Sequence, residues 1–140
     1  MSLYLDASVL VTLFVIDPSS VRAEAFLSAH PEIVVVSDFG VAEFSSAVGR
    51  RVRTRDLTRE DGQLAFSNLD TWVARSAYRE EITTADIDAA NRILRRLDIN
   101  LRTPDAIHIS ISRRLEATLV TFDRSMAAGA RALGITVATP

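Results

Sequence analysis

Five short runs that read as strands, separated by longer segments of helical period, leave this chain few ways to fold. The runs are Leu3–Leu5, Ile33–Val36, roughly Tyr78–Ile82, Thr118–Phe122 and Ile135–Val137. Ala7–Ile16 is apolar nearly all round, as expected of a buried helix, and Asp17-Pro18-Ser19-Ser20 breaks it and starts a second over Val21–Ala29. Ser37 or Asp38 is placed to cap a helix reaching about Arg53. Thr58, three residues before Asp61, resembles a capping box for a helix to about Ala77. Thr83 or Thr84 caps the next, in which Ile87, Ala90, Leu94 and Leu97 recur at helical spacing. Thr103 is expected to cap another, with Pro104 at its favoured first position and Ile107, Ile111 and Leu115 on a core face. A last short helix spans roughly Ser125–Leu133, and Gly134 ends it. Strands alternating with helices argue for an α/β domain with a mainly parallel sheet.

A length of 140 residues suits one domain, 1–140, and the 48% apolar content can supply its core. There is no cysteine, which excludes disulfides and zinc–thiolate sites and fits a reducing cytoplasm, the expected location. No run approaches ~20 apolar residues, so no membrane span is expected. Asp6 interrupts the apolar N-terminus and no basic region precedes it, which argues against a signal peptide.

The net charge of −2 argues mildly against a nucleic-acid binder. Yet all 16 basic residues are arginine, the side chain suited to bidentate phosphate contacts. Arg50, Arg51, Arg53 and Arg55 fall close together. They read equally well as phosphate contacts or as a solvated helix end whose cations complement the dipole.

Four acids stand where burial is expected. Asp6 ends the run Leu3-Tyr4-Leu5, and Asp123 ends Leu119-Val120-Thr121-Phe122. Glu43 sits in an apolar helix between Val41-Ala42 and Phe44, and Asp105 follows Thr103-Pro104 at a helix start. Buried charge must be paired, protonated or bound to a metal. In open α/β sheets ligands bind beyond the carboxyl ends of the strands, and all four acids can line that end. Two carboxylates ~6 Å apart repel by about 3 kcal/mol at an effective dielectric of ~20. A cation or proton uptake must relieve such a cluster. Oxygen ligands without cysteine favour Mg²⁺ or Mn²⁺, ions that activate water for phosphodiester cleavage. Each acid also has a plainer role: Asp6 and Asp123 as caps, Asp105 as a first-turn acid, Glu43 as a partner of Arg50 or another arginine.

In order and spacing, Leu5-Asp6-Ala7-Ser8, Val41-Ala42-Glu43, Pro104-Asp105-Ala106-Ile107-His108 and Val120-Thr121-Phe122-Asp123-Arg124 resemble the PIN-domain ribonucleases, most closely the toxins of VapC type. The resemblance implies a PIN-like α/β fold, a central mainly parallel sheet of about five strands flanked by helices. It implies a Mg²⁺- or Mn²⁺-dependent endoribonuclease, with Asp6 and Asp105 as metal ligands and Glu43 and Asp123 joining them directly or through water. Ser8 and Thr121 match positions with hydroxyls near the acids, where a local backbone hydrogen bond is an equal reading. The resemblance further implies an RNA substrate, a small DNA-binding antitoxin of VapB type and a homodimer. The apolar stretches Phe39–Val48 and Leu64–Val73 serve equally as interface or core. Alternatives are a PIN nuclease of RNA processing and a PIN module that only binds. An aspartyl phosphatase of haloacid dehalogenase type is disfavoured, because Ser8 stands where a second Asp is needed.

His108, one turn beyond Asp105, reads as a packing residue between Ile107 and Ile109 rather than a general base. Asp86 and Asp88 read as exposed helix acids, and Trp72 as core or interface rather than a base-stacking platform.

Overall fold

The structure is a computed structural model describing residues 1–140. Five strands form one sheet: β1 (Leu3–Leu5), β2 (Val34–Ser37), β3 (Tyr78–Glu80), β4 (Thr118–Val120) and β5 (Val137–Ala138). Their order is β3-β2-β1-β4-β5 and every pair is parallel. Seven helices cover the sheet: α1 (Ala7–Phe14), α2 (Ser20–Ala29), α3 (Asp38–Arg53), α4 (Arg59–Ser76), α5 (Thr84–Leu94), α6 (Thr103–Arg114) and α7 (Arg124–Ala132).

The three central strands, β2, β1 and β4, are buried on both faces, which is why they read as short apolar runs, whereas the edge strand β3 exposes Tyr78 and Arg79. Register aligns Leu3 with Val34 and Thr118, Tyr4 with Val35 and Leu119, and Leu5 with Val36 and Val120. Alternation then sorts the side chains. Leu3, Leu5, Val36 and Val120 pack with Val9, Leu10, Phe44, Val48 and Leu69 of α1, α3 and α4. Tyr4, Val35 and Leu119 pack with Ile93, Ile107, Ile111 and Met126 of α5, α6 and α7. Phe44, Val48 and Leu69 are fully buried, so the two apolar stretches on α3 and α4 are largely core, although Leu64 is exposed. Trp72 is half-buried, edge-on to Phe14 at 5.6 Å, in keeping with a core role.

The chain leaves β1 towards β2 and β3 on one side, then returns to place β4 on the other side of β1. This reversal creates a topological switch point at the carboxyl ends of β1 and β4, where open α/β sheets bind ligands.

Several boundaries differ from the sequence reading. α1 stops at Phe14, and Ile16 is fully exposed. Pro18 disfavours helix at Asp17, whose carboxylate instead accepts the Ser19 N–H at 2.8 Å. α5 stops at Leu94, because Arg96 grips Asp98 at 2.9 Å and Leu97 adopts a left-handed φ of 66°, 91% exposed. The N-cap of α6 is Arg102 rather than Thr103, and Asp105 reaches back to accept its N–H at 2.9 Å. β5 begins at Val137, since the Ile135 N–H is still held by Ala130 O at 2.9 Å.

Asp86 corrects the reading more seriously. It is 2% exposed, whereas Asp88 lies in solvent. Asp86 completes a capping box with Thr83 and takes a two-pronged bond from Arg114, 2.8 Å from Nε and 2.9 Å from Nη2. Burial alone would raise its pKa; the bonds from Arg114 and Thr83 outweigh burial and hold it below the usual carboxylate range. Arg114 also reaches Glu80 at 2.6 Å, so one guanidinium ties β3, α5 and α6 together. No helix is long and apolar enough to cross a membrane.

Candidate active site

At the switch point lies an open cleft of about 440 Å³, lined by Asp6, Glu43, Asp105 and Asp123. Four different elements bring them there. Asp6 directly follows β1 and N-caps α1, accepting the Val9 N–H at 3.2 Å. Asp123 follows β4 and N-caps α7, accepting the Met126 N–H at 2.9 Å. Asp105 stands in the first turn of α6 and Glu43 in α3. The capping roles weighed for Asp6 and Asp123 are therefore present, and they occupy only part of each carboxylate.

Asp6 is 2% exposed and Asp105 4%. Asp6 is held from three sides: by Val9, by the Ser8 hydroxyl at 2.6 Å, and by the Thr121 hydroxyl at 2.6 Å on its other oxygen. Burial pushes its pKa up, and the bonds from Ser8, Thr121 and Val9 pull the other way. Ser8 and Thr121 do more than make a local backbone bond, and only that of Thr121 is local, since Phe122 lies 114 residues from Ser8. They bind a cleft acid, and they also accept the backbone N–H groups of Phe122 at 3.0 Å and Asp123 at 2.9 Å. The two hydroxyls clamp the β4–α7 turn to the acid that ends β1.

Glu43 does not pair with Arg50. Its carboxylate is hydrogen-bonded to Nε2 of His108, which is 1% exposed. His108 and Asp105 are three residues apart on α6 and share the face towards the cleft. Behind His108, Nδ1 meets the Tyr4 hydroxyl at 2.7 Å, and that hydroxyl meets Ser37 Oγ at 2.7 Å. The packing role read for His108 holds, with rings of Tyr4 and Phe39 at 5.7 and 5.1 Å, but it is incomplete. The polar chain Ser37–Tyr4–His108–Glu43 escaped the sequence reading. Its one signal was Tyr4 itself: a tyrosine in the middle of an apolar strand needs a partner for its hydroxyl.

Arg50 and Arg102 also line the cleft. A second hollow of about 520 Å³ adjoins it, sharing Ser8 and Arg50 and adding Arg51. Arg51 lies 3.6 Å from Asp17, so its charge is partly matched, and Arg53 and Arg55 are exposed near the end of α3. Arg102 was not singled out in the sequence, because only the turn of α6 brings it over the acids.

No three acidic or histidine side chains gather tightly enough to enclose an ion by themselves. The donors facing the cleft are nevertheless carboxylate oxygens. Such an open set suits a small hard cation that keeps several of its waters and takes only one or two carboxylates directly.

The family described as the PIN domain matches residues 3–132. Ribonuclease VapC46 of Mycobacterium tuberculosis is 30% identical over 149 residues, covering 99% of this chain and 98% of that protein. Among solved structures, VapC20 of M. tuberculosis, described as a sarcin-ricin loop cleaving toxin, superposes with a TM-score of 0.73 at 18% identity, over 90% of this chain and 93% of that one. VapBC2 from Rickettsia felis, bound to a DNA fragment from its promoter, gives 0.73 at 17% identity, over 100% and 99%. The last two likenesses speak to the fold.

Proposed function

This chain belongs to the PIN-domain family, and from that premise we propose that it is a divalent-metal-dependent endoribonuclease, the toxin of a two-component toxin–antitoxin pair. The observation that carries the reading is the meeting of Asp6, Glu43, Asp105 and Asp123, from four separate elements, in one cleft at the switch point. The whole of 1–140 is read as one such domain. A small DNA-binding antitoxin of VapB type is the expected partner and a homodimer the expected state; the Rickettsia VapBC2 structure is bound to a DNA fragment from its promoter.

Asp6 and Asp105 are the direct ligands in this reading, with Glu43 and Asp123 acting directly or through water. A bound Mg²⁺ or Mn²⁺ would supply charge stabilisation at the scissile phosphate and an acidified water. The chain's own residues do the rest. Ser8 and Thr121 fix Asp6 so that its carboxylate is aimed before substrate arrives. Arg50 and Arg102 offer fixed positive charge beside the acids, where an RNA backbone would otherwise be repelled. The adjoining hollow past Arg50 gives the strand a path away from the acids. Glu43, with about 30% of its side chain exposed, is anchored at its inner oxygen by His108 and free at the other to hold water.

The test uses purified protein and a fluorogenic RNA, with Mg²⁺ or Mn²⁺ against a chelator. Cleavage should require the ion and vanish in Asp6→Asn and Asp105→Asn. Cleavage that persists in either variant or in chelator would overturn the metal-site reading. Growth arrest on expression, relieved by the neighbouring small gene, tests the toxin role. Ion-dependent cleavage without arrest would move the protein to RNA processing, and no cleavage with any ion would make it a binding module.

A further inference from the structure

We infer that His108 is a positioning residue for Glu43, locked in a single tautomer by a directional hydrogen-bond chain from Ser37 through Tyr4. The inference rests on the reading of the acidic cleft as the active site.

The direction follows from the donors. Gly40 N–H can only donate, and it donates to Ser37 Oγ at 2.9 Å. Ser37 is fully buried, and its remaining neighbour is the Tyr4 hydroxyl at 2.7 Å, so its proton points to Tyr4. Tyr4 is fully buried too, and burial pushes its pKa upward, so it keeps its proton. That proton has one acceptor left, Nδ1 of His108 at 2.7 Å. Nδ1 therefore carries the lone pair and Nε2 the hydrogen, which is donated to the Glu43 carboxylate. Reversing the order would put a proton on Nδ1, turn the Tyr4 hydroxyl towards Ser37, and leave the Ser37 proton without an acceptor in a dry interior. Buried donors left unpaired are penalised strongly enough to select the first arrangement.

Each link is also fixed sterically. Ser37 N-caps α3, so the chain starts on the first turn of the helix that carries Glu43. A Cβ at Gly40 would sit 3.3 Å from Ser37 Oγ and 3.7 Å from Cε1 of His108, so α3 lies close against the chain there. Phe39 and Tyr4 flank the imidazole. Glu43 is thereby tied through α6 and β1 to the base of its own helix. Buried chains of this kind strengthen cooperatively and orient the group at their end.

The chain has two histidines, His30 and His108, so nitrogen-15 NMR of the imidazoles reads the tautomer in the labelled wild-type protein. The expected spectrum shows His108 protonated at Nε2 and bare at Nδ1, with Tyr4→Phe losing that preference. A proton on Nδ1 in the wild type overturns the inference. Kinetics give the second arm. His108→Gln keeps a donor where Nε2 stands and should stay near wild-type rate. His108→Met fills the space without a donor and should lower kcat about tenfold with little change in KM for RNA, the loss typical of an orienting partner. Equal activity of the Gln and Met variants, beside an inactive Asp6→Asn, would remove His108 from the mechanism and leave the metal site standing. An active Asp6→Asn would strike the underlying reading instead.

Discussion

Thr121→Val removes one hydroxyl and nearly keeps the shape of a fully buried side chain. That hydroxyl donates to Asp6 at 2.6 Å and accepts the Asp123 N–H at 2.9 Å. A hydrogen bond to a charged group contributes about 1.5–3 kcal/mol, and an orphaned donor costs about 1–3 kcal/mol. Asp123 is only half-buried, so water softens the second loss, and the added methyl recovers part of the first. The net is about 3 kcal/mol near pH 8, which for a chain of this size lowers Tm by roughly 10 °C. The effect should depend on pH, and its sign follows from Asp6. Burial raises the folded pKa of Asp6 above its unfolded value. Stability from this group is therefore full while the carboxyl is protonated, and falls as pH climbs from the usual carboxylate range through the raised folded value. Thr121 is one of the bonds restraining that rise, so the valine variant should lose more on going to high pH than the wild type does. Near pH 4, where Asp6 is largely protonated, the bond is between neutral groups and the deficit should shrink to about 2 kcal/mol or less. Urea unfolding of both proteins at the two pH values measures it. A deficit below about 1 kcal/mol at pH 8, or one equal at both, would refute the view that Thr121 supports an ionised buried Asp6.

Asp86→Asn should destabilise by about 2–4 kcal/mol at pH 7, since it weakens a largely buried, two-pronged pair with Arg114. Because that carboxyl is held low, its contribution should be lost as pH falls from the usual carboxylate range through its depressed folded value, and acid unfolding curves of variant and wild type should converge there. RNA cleavage by the surviving folded protein should be unchanged. Arg50→Ala should weaken RNA binding and reduce the slope of log affinity against log salt by about one, as for a lost phosphate contact. Arg51→Ala should change the slope less, because Asp17 already sits 3.6 Å from that guanidinium; equal slopes for the two would contradict this ranking.

Strand and helix order was legible because it is local. Leu3–Leu5 and Thr118–Val120 are buried on both faces and so read as short unbroken apolar runs. Capping chemistry named Thr58 and narrowed two other caps to the pairs Ser37 or Asp38 and Thr83 or Thr84, of which Ser37 and Thr83 are the caps, since an N-cap side chain acts within three residues of itself. Errors fell where a distant partner decided the outcome. Asp86 looked like a surface acid because nothing near it in sequence announces Arg114, 28 residues on. Glu43 looked available to Arg50, seven residues along α3, but it faces the cleft and meets His108, 65 residues away.

The sequence by itself determined that the chain alternates strand and helix, that the sheet is mainly parallel, and that four acids stand at element ends or in an apolar helix. Those properties depend on periodicity and on caps, which a segment carries within itself. Only the tertiary structure decided which acids share a cleft, which hydroxyls hold them, and that a buried tyrosine and histidine stand behind Glu43. Those depend on strand order. Placing β4 beside β1 sets Thr121 against Asp6 across 115 residues, and the packing of α6 on the sheet sets His108 against Tyr4 across 104.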